Sequence, residues 1–554
     1  MGGSPLIAYG AVSGPSRAIV REGSVMLKQA PPGGETGPST TPPEAQPLAA
    51  PGGRLAMTWE KPWVRRATAV AVPALAAVPL ALAMPRGPLT AAGALATMAV
   101  GLLVGLVAGL ALRSRWAMLV APVAFAAGYE LVRLGTDGPT VDGIHASTYG
   151  LLALVVGRGI HGVIALFPIA LGAALGAALA RRRQNRGPAR HGWPRVGLYA
   201  RRGAVVLAGV ALVVLAVGIA RPASTDPIVG LDGKPLPGSI AELTRVEIGG
   251  HDLAMMIRGH SAESPVLLFL AGGPGGSELG AMRRHLEALE KEFVVVTWDQ
   301  RGTGKSYGAL DPSSTLTLEQ AVSDTIEVSN YLRERFGQEQ IYLVGQSWGS
   351  ILGVLSVQRQ PELYRAFVGT GQMVSPSETD RIFHRDTLAW ARESGNDELA
   401  ATLTEIGAPP YESVLDYEPA LSYEHEVYPY DHSRNSEGEG GFSENLIVEE
   451  YTLLEQIHNL GAFLDTFSVL YPQLGHIDFR EDVTALGVPV YLVQGRHEPP
   501  GRADLAQEWL AQLQAPAKKL VVLDTSGHRP PFEQPEQFTN VMTETVLAET
   551  RPRP

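Results

Sequence analysis

The hydrophobic pattern changes character near Arg221. Before it, apolar residues come in long unbroken runs; after it, short runs alternate with helix-length mixed segments. Ala67–Met84, Leu89–Leu112, Trp116–Val132 and Gly203–Ala220 are each near the length that crosses a bilayer as a helix. Tyr149–Ala180 is longer and contains Arg158 and His161, so its span is placed at about Ile160–Ala180, with Leu151–Val156 as a leading interfacial turn. Five spans result, the third being the shortest. Runs this long with so few charges are hard to hide from lipid in a soluble core, so residues 61–220 are expected to be an all-α transmembrane region.

The segment RPASTDPIVGLDGKPLPGS, with turn residues at short spacings, predicts a linker over 221–243. The runs that follow are strand-like: Thr244–Ile248, Leu253–Arg258, Val266–Ala271, Phe293–Asp299, Ile341–Gly345, Ala366–Gly369, Val488–Gln494 and Lys519–Asp524. The later ones are separated by helix-length stretches such as Leu318–Phe336. This alternation predicts an α/β domain over 244–554, with a mostly parallel sheet and helices on both faces. The stretch from about Ser375 to Asp482 breaks the rhythm and is expected to be an inserted cap. At the other end, residues 1–60 are rich in Pro, Gly, Ser and Thr without an apolar period, which predicts disorder. Met57, which opens MTWEKPWVRR, is a candidate for the true translation start.

Charge separates the same two halves. Residues 1–220 hold 20 Lys and Arg against 7 Asp and Glu, a net of +13; the remainder holds 25 against 49, a net of −24, and the two sum to −11. An acidic domain argues against a nucleic-acid partner. Arginines also orient the spans. Lys61, Arg65 and Arg66 precede the first, Arg113 and Arg115 follow the second, and eight arginines from Arg181 to Arg202 lie between the fourth and fifth. The alternate loops carry only Arg86 and Arg133, with Arg158 just ahead of the fourth span. The positive-inside rule therefore places the N-terminus in the cytoplasm and Arg221 outside it, as in a multi-pass protein of a bacterial cell membrane. With further spans behind it, the first is not a cleaved signal peptide. There is no cysteine, which excludes disulfides and thiolate metal sites.

The chemistry lies in the acidic half. Gly345–Gly349, GQSWG, follows the strand IYLV and precedes the apolar segment ILGVLSVQ. This is the strand–turn–helix context of a nucleophile elbow, which exposes the Ser347 hydroxyl above a helix N-terminus. A serine nucleophile needs a base, and the base needs an orienting carboxylate. His528 sits in DTSGHRPPFEQPEQF directly after the strand KLVVLD and is the candidate base. Glu498 ends VYLVQGRHE and is the candidate acid, with Asp504 and Asp524 close by in sequence. The loop LAGGPGG, Leu270–Gly276, follows VLLF, where a glycine backbone can approach a substrate carbonyl. The backbone N–H groups of Gly273 and Trp348 are the expected oxyanion hole. Asp299–Ser306 lacks the first glycine of a phosphate loop and is expected to be a structural turn. His425 and His432 lack convincing ligand spacing, so no metal and no cofactor is expected.

GGPGG, WDQRGTGKS at Trp298–Ser306, GQSWG, GRHE, and GH followed by E-x-P-E together resemble the proline iminopeptidase family of α/β-hydrolases, over about Thr244–Leu547. The resemblance implies a serine peptidase that removes N-terminal residues beneath a helical cap. It supports Ser347, Glu498, His528 and the loop Gly272–Gly275 in the roles above. Three positions depart from the family: Ala271 stands where a His usually opens the loop, Glu498 where the acid is usually Asp, and no Trp-x-x-Trp-Glu motif marks the cap. Proline specificity does not follow from what remains.

The expected protein is a membrane-anchored extracytoplasmic serine hydrolase with a peptide or ester substrate and the lipid bilayer as its surroundings. An aminopeptidase comes first, an esterase or lipase second, and a non-catalytic membrane sensor last. For an aminopeptidase, Glu450 is the candidate amine-binding residue. Glu444–Gly461 has the period of a cap helix, with Glu450 on the face of Ile447, Tyr451, Leu454 and Ile457. A carboxylate there needs a partner, either a substrate ammonium or a nearby basic residue.

Overall fold

A computed structural model describes residues 61–142, 145–184, 194–428, 442–445 and 447–551. The polar segment 1–60 and His432 lie outside these residues. Apolar helices come first: α1 (Pro62–Ala83), α2 (Ala91–Leu112), α3 (Ala117–Val132), α4 (Thr148–Leu154), α5 (Ile160–Gln184) and α6 (Pro194–Ala220). Val155–Gly159 is a π-turn that joins α4 to α5 without a break, so Leu151–Val156 belongs to one long helix and is not a separate interfacial turn. Among the described residues four helices are long and apolar enough to cross a bilayer; α3 is shorter. Their outward faces carry Leu75, Leu103, Val213 and other exposed apolar side chains, which suit a lipid environment.

Small residues set the packing of the bundle. Gly105 and Gly109 of α2 lie against the carbonyls of Ile169 and Ala173 on α5, and Gly172 and Gly176 of α5 lie against the carbonyls of Leu102 and Leu106. A Cβ at any of these four glycines would overlap the opposing backbone. Small residues four apart on both helices bring the backbones together, and dispersion then holds them in a medium with no hydrophobic drive.

After α6 the chain builds an eight-stranded sheet: β1 (Ile240–Ile248), β2 (His251–Gly259), β3 (Val266–Leu270), β4 (Val294–Trp298), β5 (Ile341–Gln346), β6 (Tyr364–Thr370), β7 (Val490–Gly495) and β8 (Lys518–Leu523). All eight short apolar runs are strands. β1 starts at Ile240, four residues before its apolar run, because its pairing with β2 extends from Ile248↔His251 to Ile240↔Gly259. The order is β1-β2-β4-β3-β5-β6-β7-β8, antiparallel through β1, β2 and β4 and parallel from there on. The central strands are buried along their whole length, which is why their sequences read as continuous apolar runs. α7 (Leu318–Phe336) starts at the Thr317 side-chain cap and ends at Gly337 in the left-handed conformation. α8 (Trp348–Arg359) follows β5 directly.

Between β6 and β7 the chain leaves the sheet and forms the helical cap segment, including α9 (Pro376–Ser394) and α10 (Leu453–Leu470). Helix α10 begins later than the apolar period of Glu444–Gly461 predicts. Thr452 and Glu455 form a capping box that fixes the first turn at Leu453, and Phe442–Asn445 is a separate 3₁₀ turn. α11 (Pro500–Gln512) follows β7.

The cap and the apolar helical region share a buried carboxylate among their contacts. Asp465 of α10 accepts from Arg86 Nη1 at 2.7 Å, Tyr307 Oη at 2.7 Å and the Thr140 backbone N–H at 3.0 Å. Arg86 also reaches Asp311 at 3.2 Å. Nearby, His458 of α10 lies 3.3 Å from His161 of α5 and 3.0 Å from the Pro88 carbonyl. Arg86 is 3% and Asp465 0% exposed, so neither charge is stable there without the other. Arg86→Met should therefore cost about 3–5 kcal/mol of stability, read as a sharp fall in the thermal midpoint of the detergent-solubilised chain. Arg86→Met/Asp465→Leu should recover much of that loss. An Arg86→Met midpoint equal to wild type would contradict the pairing.

Candidate active site

The loops at the C-terminal ends of β3, β5 and β8 converge on one cavity of about 590 Å³. Ser347 sits on the turn from β5 into α8 with φ 53° and ψ −118°, a backbone conformation that non-glycine residues rarely adopt. The turn is tight enough that Gly349 lies against the Leu270 carbonyl and Gly345 against that of Gly349, so a side chain at either position would collide with backbone. These contacts account for both glycines of GQSWG and lift the serine onto the cavity floor.

His528 lines the same cavity, on the loop after β8. That loop is braced from within. Gln534 accepts from Thr525 N at 3.0 Å and Ser526 Oγ at 2.9 Å, and Glu533 accepts from Gly527 N at 2.6 Å. Gln346 Nε2 donates to the His528 carbonyl at 3.2 Å, which ties the histidine loop to the nucleophile turn. Glu498 lies beneath His528, with its carboxylate oxygens 2.9 and 3.0 Å from Nδ1. This contact leaves Nε2 as the ring nitrogen able to exchange a proton with substrate. Glu498 also pairs with Arg502, one turn into α11, and Arg502 pairs with Glu424. Burial alone would raise the Glu498 carboxyl, but His528 and Arg502 outweigh it and hold it down to about 2. Neither sequence neighbour takes that place: the Asp524 carboxylate accepts from Gln534 Nε2 at 2.9 Å, and Asp504 is exposed on α11.

Gly272 and Gly273 line the cavity beside Ser347, and Trp348 begins α8. A side-chain bridge holds these two loops in register: Trp348 Nε1 donates to Gln300 Oε1 at 2.8 Å, and Gln300 Nε2 donates to the Ala271 carbonyl at 3.2 Å. Gln300 thereby gives the WDQRGTGKS segment a place in the site. The rest of that segment is a turn closed on Asp299, whose carboxylate accepts from Lys305 N at 2.8 Å and Tyr451 Oη at 3.0 Å. Burial pushes Asp299 up to about 6, against the pull of those contacts.

Glu450 is not at the cavity. It lies on the turn before α10, its side chain is buried, and its carboxylate pairs with Arg283 of the short helix Leu279–His285. The helical period through 444–461 does not describe it, because the helix starts only at Leu453, and the basic partner is supplied by protein. The carboxylates that do line the cavity are Glu278 and Glu418. Glu278 pairs with Arg529 and accepts from Gly272 N; burial raises its carboxyl. Glu418 accepts from the backbone N–H groups of Thr148 and Tyr149 at 3.0 and 3.2 Å. These two, with Gln300 and Tyr149, are site residues that the sequence did not disclose, because partners such as Arg529, Trp348 and Glu418 lie far away along the chain; Arg502, only one helical turn from Glu498, was also not read from the sequence. His425 is on the short helix Glu424–Val427, and no group of three or more metal-ligating side chains occurs among the described residues.

A parallel sheet with a serine on the β5–α8 turn and a histidine–carboxylate pair after the next strands is the arrangement of an α/β-hydrolase. Residues 265–535 match the family described as alpha/beta hydrolase fold, and the chain belongs to that family. It is 30% identical over 321 residues to the protein named "Probable aminopeptidase YbaC" of Bacillus subtilis (strain 168), covering 56% of this chain and 97% of that relative. It is also 30% identical over 135 residues to the proline iminopeptidase of Lactobacillus delbrueckii subsp. bulgaricus, covering 23% of this chain and 43% of that protein. Among solved structures, a proline iminopeptidase-related protein from Thermus thermophilus aligns over 56% of this chain and 98% of its own, with 23% identity and a TM-score of 0.39. All three likenesses cover at most 56% of the chain.

The Glu498 value has a consequence for stability. It lies below the 4.5 of an unperturbed glutamate, so the carboxylate contributes stability that is complete above pH 4.5 and is lost as the pH falls toward about 2. Glu498→Gln lacks that contribution. The gap between wild-type and variant unfolding midpoints should be widest above about pH 5 and should close on acidification. A gap that does not change with pH would contradict the ionised pair.

Proposed function

We propose that this protein is a membrane-anchored serine aminopeptidase, with Ser347 as nucleophile, His528 as base and Glu498 as orienting acid. The observation that carries the reading is the Glu498–His528 contact at 2.9 Å, with His528 and Ser347 lining one cavity. Ser347 Oγ attacks the carbonyl carbon of the first peptide bond and passes its proton to His528 Nε2. The N–H groups of Gly273 and Trp348 receive the developing oxyanion, and the helix N-terminus at α8 adds its partial positive charge. Collapse of the tetrahedral intermediate breaks the C–N bond, and His528 gives its proton to the departing amine. Water then attacks the acyl-enzyme, again with His528 as base, and frees the N-terminal residue and Ser347. No step requires a cofactor. The relative named an aminopeptidase, covered over 97% of its length, favours a peptide substrate. The apolar walls of the cavity favour a second reading, an acyl-ester hydrolase using the same three residues.

The extracytoplasmic placement belongs to the same proposal. Arg86 and Thr140, on the loops after α1 and α3, and Thr148, at the start of α4, contact the hydrolase. Those loops are the arginine-poor ones, and the arginine-rich ends of α5 and α6 belong to the opposite side by the positive-inside rule.

Ser347→Ala and His528→Ala should each lower kcat on aminoacyl arylamides by about ten-thousandfold or more, and Glu498→Gln by about a hundredfold or more, whereas Asp524→Asn and Asp504→Asn should stay near wild type. A folded Ser347→Ala protein with undiminished turnover would end the assignment. N-acetylation of the substrate should abolish turnover; equal turnover of blocked and free substrates would favour the acyl-ester reading. For topology, a reporter active only outside the cytoplasm should work when fused at Arg221 and fail when fused at Arg190. The opposite pattern would put the hydrolase in the cytoplasm.

A further inference from the structure

The cavity above Ser347 is larger than a single small residue requires, and most of its wall is apolar. Leu415, Leu421, Phe463 and Phe467 of the cap form much of that wall. One further wall residue, Tyr149, comes from the membrane region, on the first turn of the helix that runs on into the bilayer. It is held in place from the cap side. Glu418, itself a lining residue, accepts from the N–H groups of Thr148 and Tyr149 at 3.0 and 3.2 Å, and Ser147 Oγ accepts from Gly150 N at 3.0 Å. A carboxylate and a hydroxyl thus satisfy three N–H groups at the positive end of α4. The α10 part of the wall is fixed to the same region: α10 supplies Phe463 and Phe467 and is clamped through Asp465 to Arg86 and Thr140.

We infer that the membrane region forms part of the substrate site, and that the site takes amphiphiles: substrates whose acyl side carries a large apolar group packed between Tyr149 and the cap. The inference rests on Ser347 being the nucleophile, as proposed above, but not on the choice between peptide and ester. Apolar contacts in a preformed pocket favour the larger group by about tenfold or more per well-packed increment. Tyr149 adds its ring to the wall that these four cap side chains form, so its loss removes apolar contact from a group packed there.

The test uses the full chain in detergent micelles and two alkyl fluorophosphonates, one with an ethyl and one with an octyl chain. Each forms an Oγ–P bond at Ser347 and expels fluoride, with the serine proton passing to His528. Micelle partitioning is common to all variants, so the readout is the change in the octyl-to-ethyl labelling-rate ratio. Tyr149→Ala should lower that ratio by about tenfold, and Tyr149→Phe should retain it. An unchanged ratio in Tyr149→Ala, with labelling intact, would overturn the inference and leave the nucleophile assignment standing. Absence of labelling by either probe in wild type would instead overturn the nucleophile assignment and the inference with it. If Tyr149→Ala slows both probes equally, Glu418→Gln decides, because it keeps volume and loosens only the tether. A lowered ratio there upholds the inference, and a wild-type ratio overturns it.

Discussion

Asp465 is the contact on which the two halves of the chain depend. A fully buried carboxylate is tolerable only with a cation and several donors around it, and these come from distant parts of the sequence: Arg86 and Thr140 from the membrane loops, Tyr307 from the turn after β4. The helix that carries Asp465 also lines the substrate cavity. A pairing of this kind is intolerant of partial separation, since moving either half would strand a buried charge. It keeps cap, sheet and apolar helices in one arrangement, and the described residues accordingly form one unit.

Within that arrangement the site uses short-range constraints. The β5–α8 turn presents Ser347 in a strained conformation because the two flanking glycines let it press on the backbone of β3. Gln300 ties the loop after β3 to Trp348, and Gln346 ties the histidine loop to the serine turn. The electrostatics are uneven in a useful way. Glu498 is kept charged by His528 and Arg502 in spite of burial, while the neighbouring Glu278 is raised by burial although Arg529 pairs with it. One carboxylate beside the histidine is therefore held firmly as an anion, as an orienting partner of an imidazolium has to be.

Much of this was legible in the sequence, and the pattern of success has a physical basis. The strands could be read because a parallel sheet buries both faces, which yields short runs of continuous apolar residues such as VLLF and IYLV. The strand–turn–helix around Ser347 could be read because its steric demands fall on adjacent residues, and the strand end next to Glu498 because the run VYLV is continuously apolar. Glu450 was misplaced for a local reason: the apolar period continues through Tyr451, but the T-x-x-E capping box at Thr452–Glu455 starts the helix after it. Arg283 then satisfies the carboxylate. The residues that join the halves were not legible at all. Arg86 and Asp465 are separated by 379 positions, and Glu418 meets Thr148 across 270, distances over which a single sequence carries no pairing signal.

The central claim is that Ser347 is a reactive nucleophile in the intact, membrane-embedded protein. The most direct measurement is peptide mapping by mass spectrometry after a fluorophosphonate has reacted with the full-length chain in native membranes. The account predicts a single phosphonate adduct on the peptide containing Ser347, absent when the protein is denatured first. An adduct on a different serine, or no adduct on a chain that remains folded, would contradict it.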